Sequence, residues 1–238
     1  MYKNAAETRA FFEAFRPLTG NAIHHEIVIC PPFPNLPAAV ECAQETRIGI
    51  GAQNVYWAKE GAFTGEVSAP MLAAIGCRWV IVGHSERRQY FAETDSTVNK
   101  RTVAALEAGL VPIVCVGELL QHREAGHTHI VLEQQFTGGI AALTPDQFSR
   151  IVIAYEPVWA IGTGKTATPA MAAEAHGAIR NLIRSKFGDD AAAHCRILYG
   201  GSVKPDNIQK LMAEEEIDGA LVGGASLDPV SFASIVNY

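Results

Sequence analysis

The sequence predicts an α/β protein in which parallel strands and helices alternate to form a (β/α)8 barrel. Three observations favour this fold: short apolar runs typical of buried strands, helical patterns between those runs, and glycine or polar residues after nearly every run. A doubly wound open sheet is the alternative, but it would concentrate its polar residues at one switch point. Their spread along the whole chain favours the barrel.

Length and composition fit a single domain over residues 1–238. The chain has 238 residues, of which 48% are hydrophobic and 18% charged, and a net charge of −6. This acidic balance argues against a nucleic-acid partner, and the apolar runs are shorter than the roughly 20 residues that cross a membrane. Five cysteines without a C-x-x-C pair indicate reduced thiols. We therefore expect a cytoplasmic protein without a nucleic-acid or membrane partner.

Seven runs rich in β-branched residues are predicted strands. None alternates apolar with polar residues, which indicates burial on both faces, as in parallel sheets. The predicted strands are residues 27–30, 48–51, 79–82, 113–116, 151–154, 197–199 and 220–222. A closed barrel of this type has eight strands. The sequence therefore predicts one strand fewer than a closed barrel has, and its first element is a helix.

Helical patterns fill the segments between the predicted strands. Asn4 is predicted to cap a helix that buries Phe11 and Phe15, and Ser96 to cap a helix that ends before Gly109. Further helices are predicted around residues 130–143, 170–187 and 205–212. The regular alternation, without a linker, predicts consecutive βα units.

Glu156 is a candidate catalytic carboxylate. It follows an apolar run, where an ionisable carboxyl is costly to bury unless it has a partner or a task. A surface glutamate at the start of a loop is the ordinary alternative. The stretch 157–167 that follows is apolar at its centre and glycine-rich toward its end, so it is predicted to be a lid that closes and excludes water.

His84 follows the run 79–82 and is a second candidate. Ser85 and Glu86 can begin a helical turn directly after it, and a helix N-terminus lowers the pKa of a histidine and favours neutral imidazole. A structural histidine is the alternative. Arg87 is interpreted as a member of a structural ion pair with Glu86.

Glycine pairs follow the last two predicted strands. Gly200-Gly201, followed by Ser202, and Gly223-Gly224 allow close approach of the backbone, whose free N–H groups at helix starts bind anions. The last two loops of a barrel form the usual phosphate site of this fold. Plain tight turns are the alternative for either loop alone.

No metal site is predicted. The histidines at 122, 127 and 129 lie in a polar connection without a second cluster of ligands, so a solvated loop is expected there.

Four segments resemble the triosephosphate isomerases: residues 82–88, 154–164, 199–203 and 221–225. The resemblance runs along the whole chain, and the first two segments are long and highly specific. It implies a TIM barrel that interconverts dihydroxyacetone phosphate and D-glyceraldehyde 3-phosphate through an enediol or enediolate. It also implies that the enzyme needs neither a cofactor nor a metal.

The resemblance implies roles for individual residues. Glu156 matches the base that moves a proton between adjacent carbons, His84 the neutral electrophile, and Glu86 a carboxylate near the catalytic centre. The matching substrate-binding residues are Gly162, Ser202, Gly223 and Gly224, and the matching lid hinges are residues 157–159 and 165–167. The loop 53–66, around Phe63, Thr64 and Gly65, matches the loop through which the family dimerises, so a homodimer is expected. A mobile surface loop is the alternative.

The sequence departs from the family pattern at its start. The first strand of the family, with its Asn-Trp-Lys motif, is expected to be missing, and Lys3 is predicted to lie in the first turn of the helix that follows. A barrel without that strand cannot close, and loss of the lysine removes a cation from the reaction centre. Three interpretations stay open: an isomerase with an unrecorded N-terminal segment, an impaired isomerase, and a non-catalytic phosphate-binding barrel.

Overall fold

A computed structural model describes residues 1–20, 22–161 and 166–238, over which strands and helices alternate along the chain. The strands are β1 Ile27–Ile29, β2 Ile48–Ala52, β3 Trp79–Val82, β4 Val111–Val116, β5 Val152–Tyr155, β6 Ile197–Tyr199 and β7 Gly219–Ala220. The α-helices are α1 Ala5–Phe15, α2 Leu36–Ala43, α3 Ala69–Ile75, α4 Ser85–Tyr90, α5 Asp95–Glu107, α6 Leu120–Glu124, α7 Thr128–Gly139, α8 Pro145–Phe148, α9 Pro169–Phe187, α10 Asp189–His194, α11 Ile208–Leu211 and α12 Pro229–Val236.

The strands of the described residues form one parallel sheet in the order β1 to β7, and each strand pairs with the next along the chain. Strands β3 and β6 match their predicted ranges residue for residue, and β7 ends before the predicted residues 221 and 222. The prediction of seven strands in a barrel-type α/β fold is confirmed. Parallel strands joined in sequence through helices are the arrangement of a TIM barrel.

Strands β3 and β5 are buried on both faces, as the continuous apolar runs predict, whereas β1 and β7, the first and last strands of the sheet, are partly buried. On β3, Trp79 and Ile81 join Ile113 in a cluster formed by strand residues alone, whereas Val80 and Val82 belong to the core that the helices cover. Two apolar layers therefore hold the sheet, one on each side. The residues that follow the strands are left together at the carboxyl edge.

Helix α1 begins at the predicted cap. The Asn4 side chain accepts the N–H of Glu7 at 3.0 Å, and the Glu7 carboxylate accepts the N–H of Asn4 at 2.7 Å, which is a capping box. Phe11 and Phe15 are buried as predicted. Lys3 precedes this cap, so the prediction that it lies in the first helical turn is wrong.

Helix α5 begins at a different cap from the predicted Ser96. The Thr94 hydroxyl accepts the N–H of Thr97 at 3.3 Å, and the Thr97 hydroxyl accepts the N–H of Thr94 at 2.9 Å. Because this reciprocal pair fixes the start, Ser96 lies inside the first turn. The end is as predicted, since Gly109 takes the left-handed φ of 77° just after the helix.

Two further segments differ from their predictions. Residues 205–212 are helical only over α11, and the histidine-bearing segment 121–129 contains most of α6 and the start of α7 in place of a solvated loop. Along the parts of the chain that the structure describes, no helix combines the length and the apolar character that crossing a bilayer requires.

Candidate active site

The carboxyl ends of β3 and β5 bring His84 and Glu156 into contact. Glu156 directly follows β5, and its N–H still donates to Val116 of β4 at 2.8 Å, so the sheet fixes its backbone. His84 lies two residues beyond the end of β3. The Oε1 atom of Glu156 lies 3.0 Å from Nε2 of His84. Two residues far apart in the sequence thus form a carboxylate–imidazole pair.

The Glu156 side chain is buried, and both of its carboxylate oxygens accept hydrogen bonds. Its residue is 2% exposed, which rules out the alternative of a surface glutamate. Oε2 accepts the N–H of Ser85 at 2.9 Å, and Oε1 accepts the Ser85 hydroxyl at 3.1 Å. Both carboxylate oxygens therefore have partners, as a buried polar group requires.

Two glycines leave room for Glu156. A Cβ atom on Gly117 would lie 1.7 Å from the carbonyl oxygen of Glu156, and one on Gly200 would lie 2.9 Å from its Cγ. These glycines follow β4 and β6, the two strands that flank β5. Close backbone approach of this kind admits only glycine at position 117.

His84 is the N-cap residue of α4. Its Nδ1 accepts the N–H of Glu86 at 3.3 Å, so in the neutral ring the proton sits on Nε2, the nitrogen that faces Glu156. Burial lowers the pKa of His84, but the hydrogen bond and the charge of Glu156 raise it by more, so the pKa lies above its ordinary value. The expectation of a lowered pKa is wrong for this arrangement, because it considered only the helix N-terminus and not the carboxylate.

Glu86 and Arg87 do not form the expected ion pair. The Glu86 side chain is exposed, and its Oε2 lies 3.9 Å from Nδ1 of His84. Arg87 pairs instead with the buried Glu93, with Nε 3.2 Å from Oε1. Adjacent residues on a helix point in different directions, so α4 separates the two side chains.

The candidate phosphate-binding residues follow β6 and β7, which are neighbours in the sheet. Ser202 is half-buried after β6, and Gly223 and Gly224 are exposed after β7, where Gly224–Leu227 forms a short 3-10 helix. Gly162 lies outside the described residues.

Glu118, to which the sequence analysis gave no role, organises the start of the predicted lid. It is fully buried after β4. Its Oε1 accepts the indole N–H of Trp159 at 2.9 Å and the hydroxyl of Tyr155 at 3.1 Å, and its carbonyl accepts the N–H of Val158 at 3.1 Å. Burial, with the nearby Glu118 charge, raises the pKa of Tyr155. A carboxyl residue close to the end of a buried apolar run, the signal that found Glu156, also marks Glu118, which lies two residues beyond the end of β4. Residues 162–165 of the predicted lid lie outside the described residues.

The fold and this arrangement define the class: a barrel-type α/β protein with its reactive side chains at the carboxyl ends of parallel strands, where enzymes of this fold carry their active sites. A family model described as "Triosephosphate isomerase" matches residues 1–238. The chain is 70% identical to the triosephosphate isomerase of Solibacter usitatus, 56% to that of Moorella thermoacetica and 51% to that of Chloroflexus aurantiacus. Each match covers all of this chain and 96%, 95% and 95% of the respective relative. The chain belongs to the triosephosphate isomerase family.

Proposed function

We propose that this protein interconverts dihydroxyacetone phosphate and D-glyceraldehyde 3-phosphate. The observation that carries the proposal is the pair formed by Glu156 and His84, 3.0 Å apart at the carboxyl edge. The Glu156 carboxylate takes a proton from the carbon beside the substrate carbonyl, while His84 Nε2–H donates a hydrogen bond to the carbonyl oxygen. The hydroxyl on the carbon that lost its proton passes its own proton to the former carbonyl oxygen, and Glu156 returns the abstracted proton to the neighbouring carbon, which turns ketose into aldose. Every proton is returned, so the reaction needs no co-reactant.

Substrate binding changes the partners of both side chains. In the structure, His84 Nε2 and the Ser85 hydroxyl and N–H all face Glu156. We propose that the substrate oxygen takes the place of the carboxylate at Nε2, and that Glu156 turns toward the substrate carbon. The charge that raises the pKa of His84 then moves away, while burial and the Glu86 N–H at Nδ1 continue to favour the neutral ring.

Glu86 takes part through its backbone and its charge. Its N–H holds the proposed electrophile in the tautomer that can donate from Nε2. Its exposed carboxylate is proposed to lie near the catalytic centre, 3.9 Å from the His84 ring.

The phosphate group is proposed to bind Ser202, Gly223, Gly224 and Gly162. A Cβ atom on Gly223 or Gly224 would meet nothing within 4 Å, so packing within the protein does not require glycine there. The missing side chains instead leave the backbone N–H groups open to an anion.

A catalytic test replaces Glu156 with Gln. The amide keeps the shape but cannot accept the substrate proton, so turnover of glyceraldehyde 3-phosphate should fall by about 10²–10⁴-fold, while binding of a phosphate analogue is largely kept. Glu133→Gln, on the exposed side of α7, is the matched control and should turn over like the parent.

The other outcomes of this test separate the alternatives. Parent-like turnover by Glu156→Gln would refute the assigned base. If the parent chain binds the analogue but shows no turnover, the protein is a non-catalytic phosphate-binding barrel.

We propose that the protein forms a homodimer through the loop 53–66. Phe63 on this loop is 43% exposed, and Tyr90 and Phe91, which follow the neighbouring strand, are 74% and 65% exposed. Large apolar side chains left exposed on the proposed loop and after the neighbouring strand support a protein–protein contact on this side of the molecule. Phe63→Lys should shift the sedimentation coefficient to that of a monomer, whereas Ile130→Lys, on the exposed side of α7, should not. Unchanged sedimentation of Phe63→Lys would contradict the proposed interface.

We also propose that residues 1–238 act as one cytoplasmic domain. One continuous sheet supports the single domain. All five cysteines are unpaired in the described structure, which is typical of proteins in a reducing compartment.

A further inference from the structure

A buried carboxylate that does not contact His84 or Glu156 accepts a hydrogen bond from the backbone next to His84. Glu93 lies between α4 and α5, and its side chain is 1% exposed. Its Oε2 accepts the N–H of Gly83 at 3.1 Å, and Oε1 lies 2.8 Å from Nε of Arg101 and 3.2 Å from Nε of Arg87. We propose that Glu93 is a positioning residue that fixes His84 for the reaction by holding the peptide bond before Gly83. This inference rests on the proposed function.

The turn at Gly83 is held on both sides. Arg88 donates from Nε to the Gly83 carbonyl at 2.8 Å and is itself paired with Asp95 at 2.6 Å. Gly83 has a left-handed φ of 74°, and a Cβ atom there would lie 2.9 Å from Val98. Ion-paired side chains therefore fix both peptide bonds of the residue that leads into His84.

The position of the Glu93 side chain is itself fixed by its neighbours. Arg101 is 8% exposed, and its Nη1 donates to Asn54 at 3.0 Å and to the carbonyl of Val55. Ala92, just before Glu93, takes a φ of 53°, a conformation that persists in a non-glycine residue only where its surroundings enforce it. The carboxylate thus links the loop after β2 to the turn before His84.

The geometry predicts how substitutions act. Asp at position 93 keeps the charge but is shorter by one carbon–carbon bond, about 1.5 Å, so it cannot reach the Gly83 N–H and the two guanidinium groups together. Gln keeps the length but leaves those guanidinium groups without a counter-charge. Either change loosens the turn, and a displacement of about 1 Å at a reacting group can lower a rate about 10²-fold.

The test compares Glu93→Asp and Glu93→Gln with a matched control, Asp218→Asn. Asp218 has the same chemistry: Oδ2 accepts the N–H of Ile197 at 2.8 Å and pairs with Arg180 at 2.7 Å. It holds the first residue of β6, at the amino edge of the sheet, opposite the carboxyl edge where His84 lies. For each protein we would measure the denaturation midpoint, kcat and KM for glyceraldehyde 3-phosphate, and the NMR signals of the His84 ring.

The expected result is a fall in kcat of about 10–10²-fold for both Glu93 variants, a KM within about threefold of the parent, and shifted His84 ring signals. Asp218→Asn should lose stability and keep kcat and the His84 signals. Unchanged kcat and His84 signals in either folded Glu93 variant would overturn the proposal, and so would an equal loss of kcat in Asp218→Asn. The His84 signals need no substrate, so they test the positioning even where Glu156→Gln refutes the proposed function.

Discussion

His176 gives the stability of the fold a defined dependence on pH. It lies on α9, is fully buried, and packs edge to face against Tyr155 at 5.7 Å between ring centres. Its Nδ1 lies 3.1 Å from the carbonyl oxygen of Glu216, so Nδ1–H donates there, and no described residue offers a hydrogen-bond partner to Nε2. Burial lowers the pKa of His176 from 6.5 to about 4. The folded protein therefore holds this ring neutral.

The direction and size of the effect follow from this pKa. Between pH 6.5 and about 4, the unfolded chain binds a proton at His176 that the folded chain does not bind. The free energy of unfolding therefore falls as the pH falls through this window, and the contribution is complete below pH 4. Over the whole window the loss is about 3 kcal/mol, or roughly 1.4 kcal/mol for each pH unit.

The assay is urea denaturation from about pH 7 down to about pH 4.5, on the parent and on His176→Asn. The Asn amide can donate to the Glu216 carbonyl in place of Nδ1–H, but it does not titrate. The variant should be less stable at pH 7, because the ring is lost, and its stability should fall less steeply on acidification by about 1.4 kcal/mol per pH unit. All other titrating groups are common to both proteins, so the difference isolates His176. Two parallel curves would show that His176 titrates normally in the folded protein, and the argument from its burial would be refuted.

Two further substitutions test the packing around the site. Gly117→Ala should destabilise the fold by about 1–3 kcal/mol or more, since its Cβ would lie 1.7 Å from the Glu156 carbonyl oxygen. In the same urea titration Gly20→Ala should be nearly neutral, because its Cβ meets nothing within 4 Å, and an equally mild Gly117→Ala would contradict the close contact. Glu118→Gln keeps the shape but replaces one acceptor oxygen with a donor, so it should lower the free energy of unfolding by about 1–3 kcal/mol. Melting curves that superimpose on the parent's would contradict the buried hydrogen bonds of this carboxylate.

The strands could be predicted because parallel strands carry their signal locally. Burial on both faces requires a continuous apolar run, and the runs at 79–82 and 197–199 became β3 and β6 without a change of boundary. The end of β7 was less predictable, because it depends on the partner strand. Leu198 pairs with Gly219 and Tyr199 with Ala220, and β6 ends there, so the apolar residues 221 and 222 continue beyond the pairing.

The sequence identified the main residues of the site, but it did not show which of their side chains are in contact. The positions after the strands singled out His84 and Glu156 separately, yet nothing local to either residue states that their side chains meet. The predicted direction of the His84 pKa shift was wrong for that reason. The sequence indicates the helix that follows His84, but it does not indicate the carboxylate that contacts the ring. The sequence indicated that Arg87 forms an ion pair, but not that Glu93 is its partner. That pairing depends on how α4, α5 and the loop between them pack.

Glu93 and Glu156 are both buried, but their partners differ. Those of Glu93 hold its carboxylate in place, whereas those of Glu156 allow its carboxylate to move. Glu93 is paired with two guanidinium groups, and breaking a buried ion pair costs about 3–5 kcal/mol. Glu156 is held by a hydroxyl, a backbone N–H and an imidazole. Each of these partners makes one hydrogen bond to the carboxylate, which is worth about 1.5–3 kcal/mol net for a charged group, and a water molecule can donate in its place. Of these two buried glutamates, Glu156 is therefore the one that can leave its resting contacts and take up a proton, which supports its proposed role as the base.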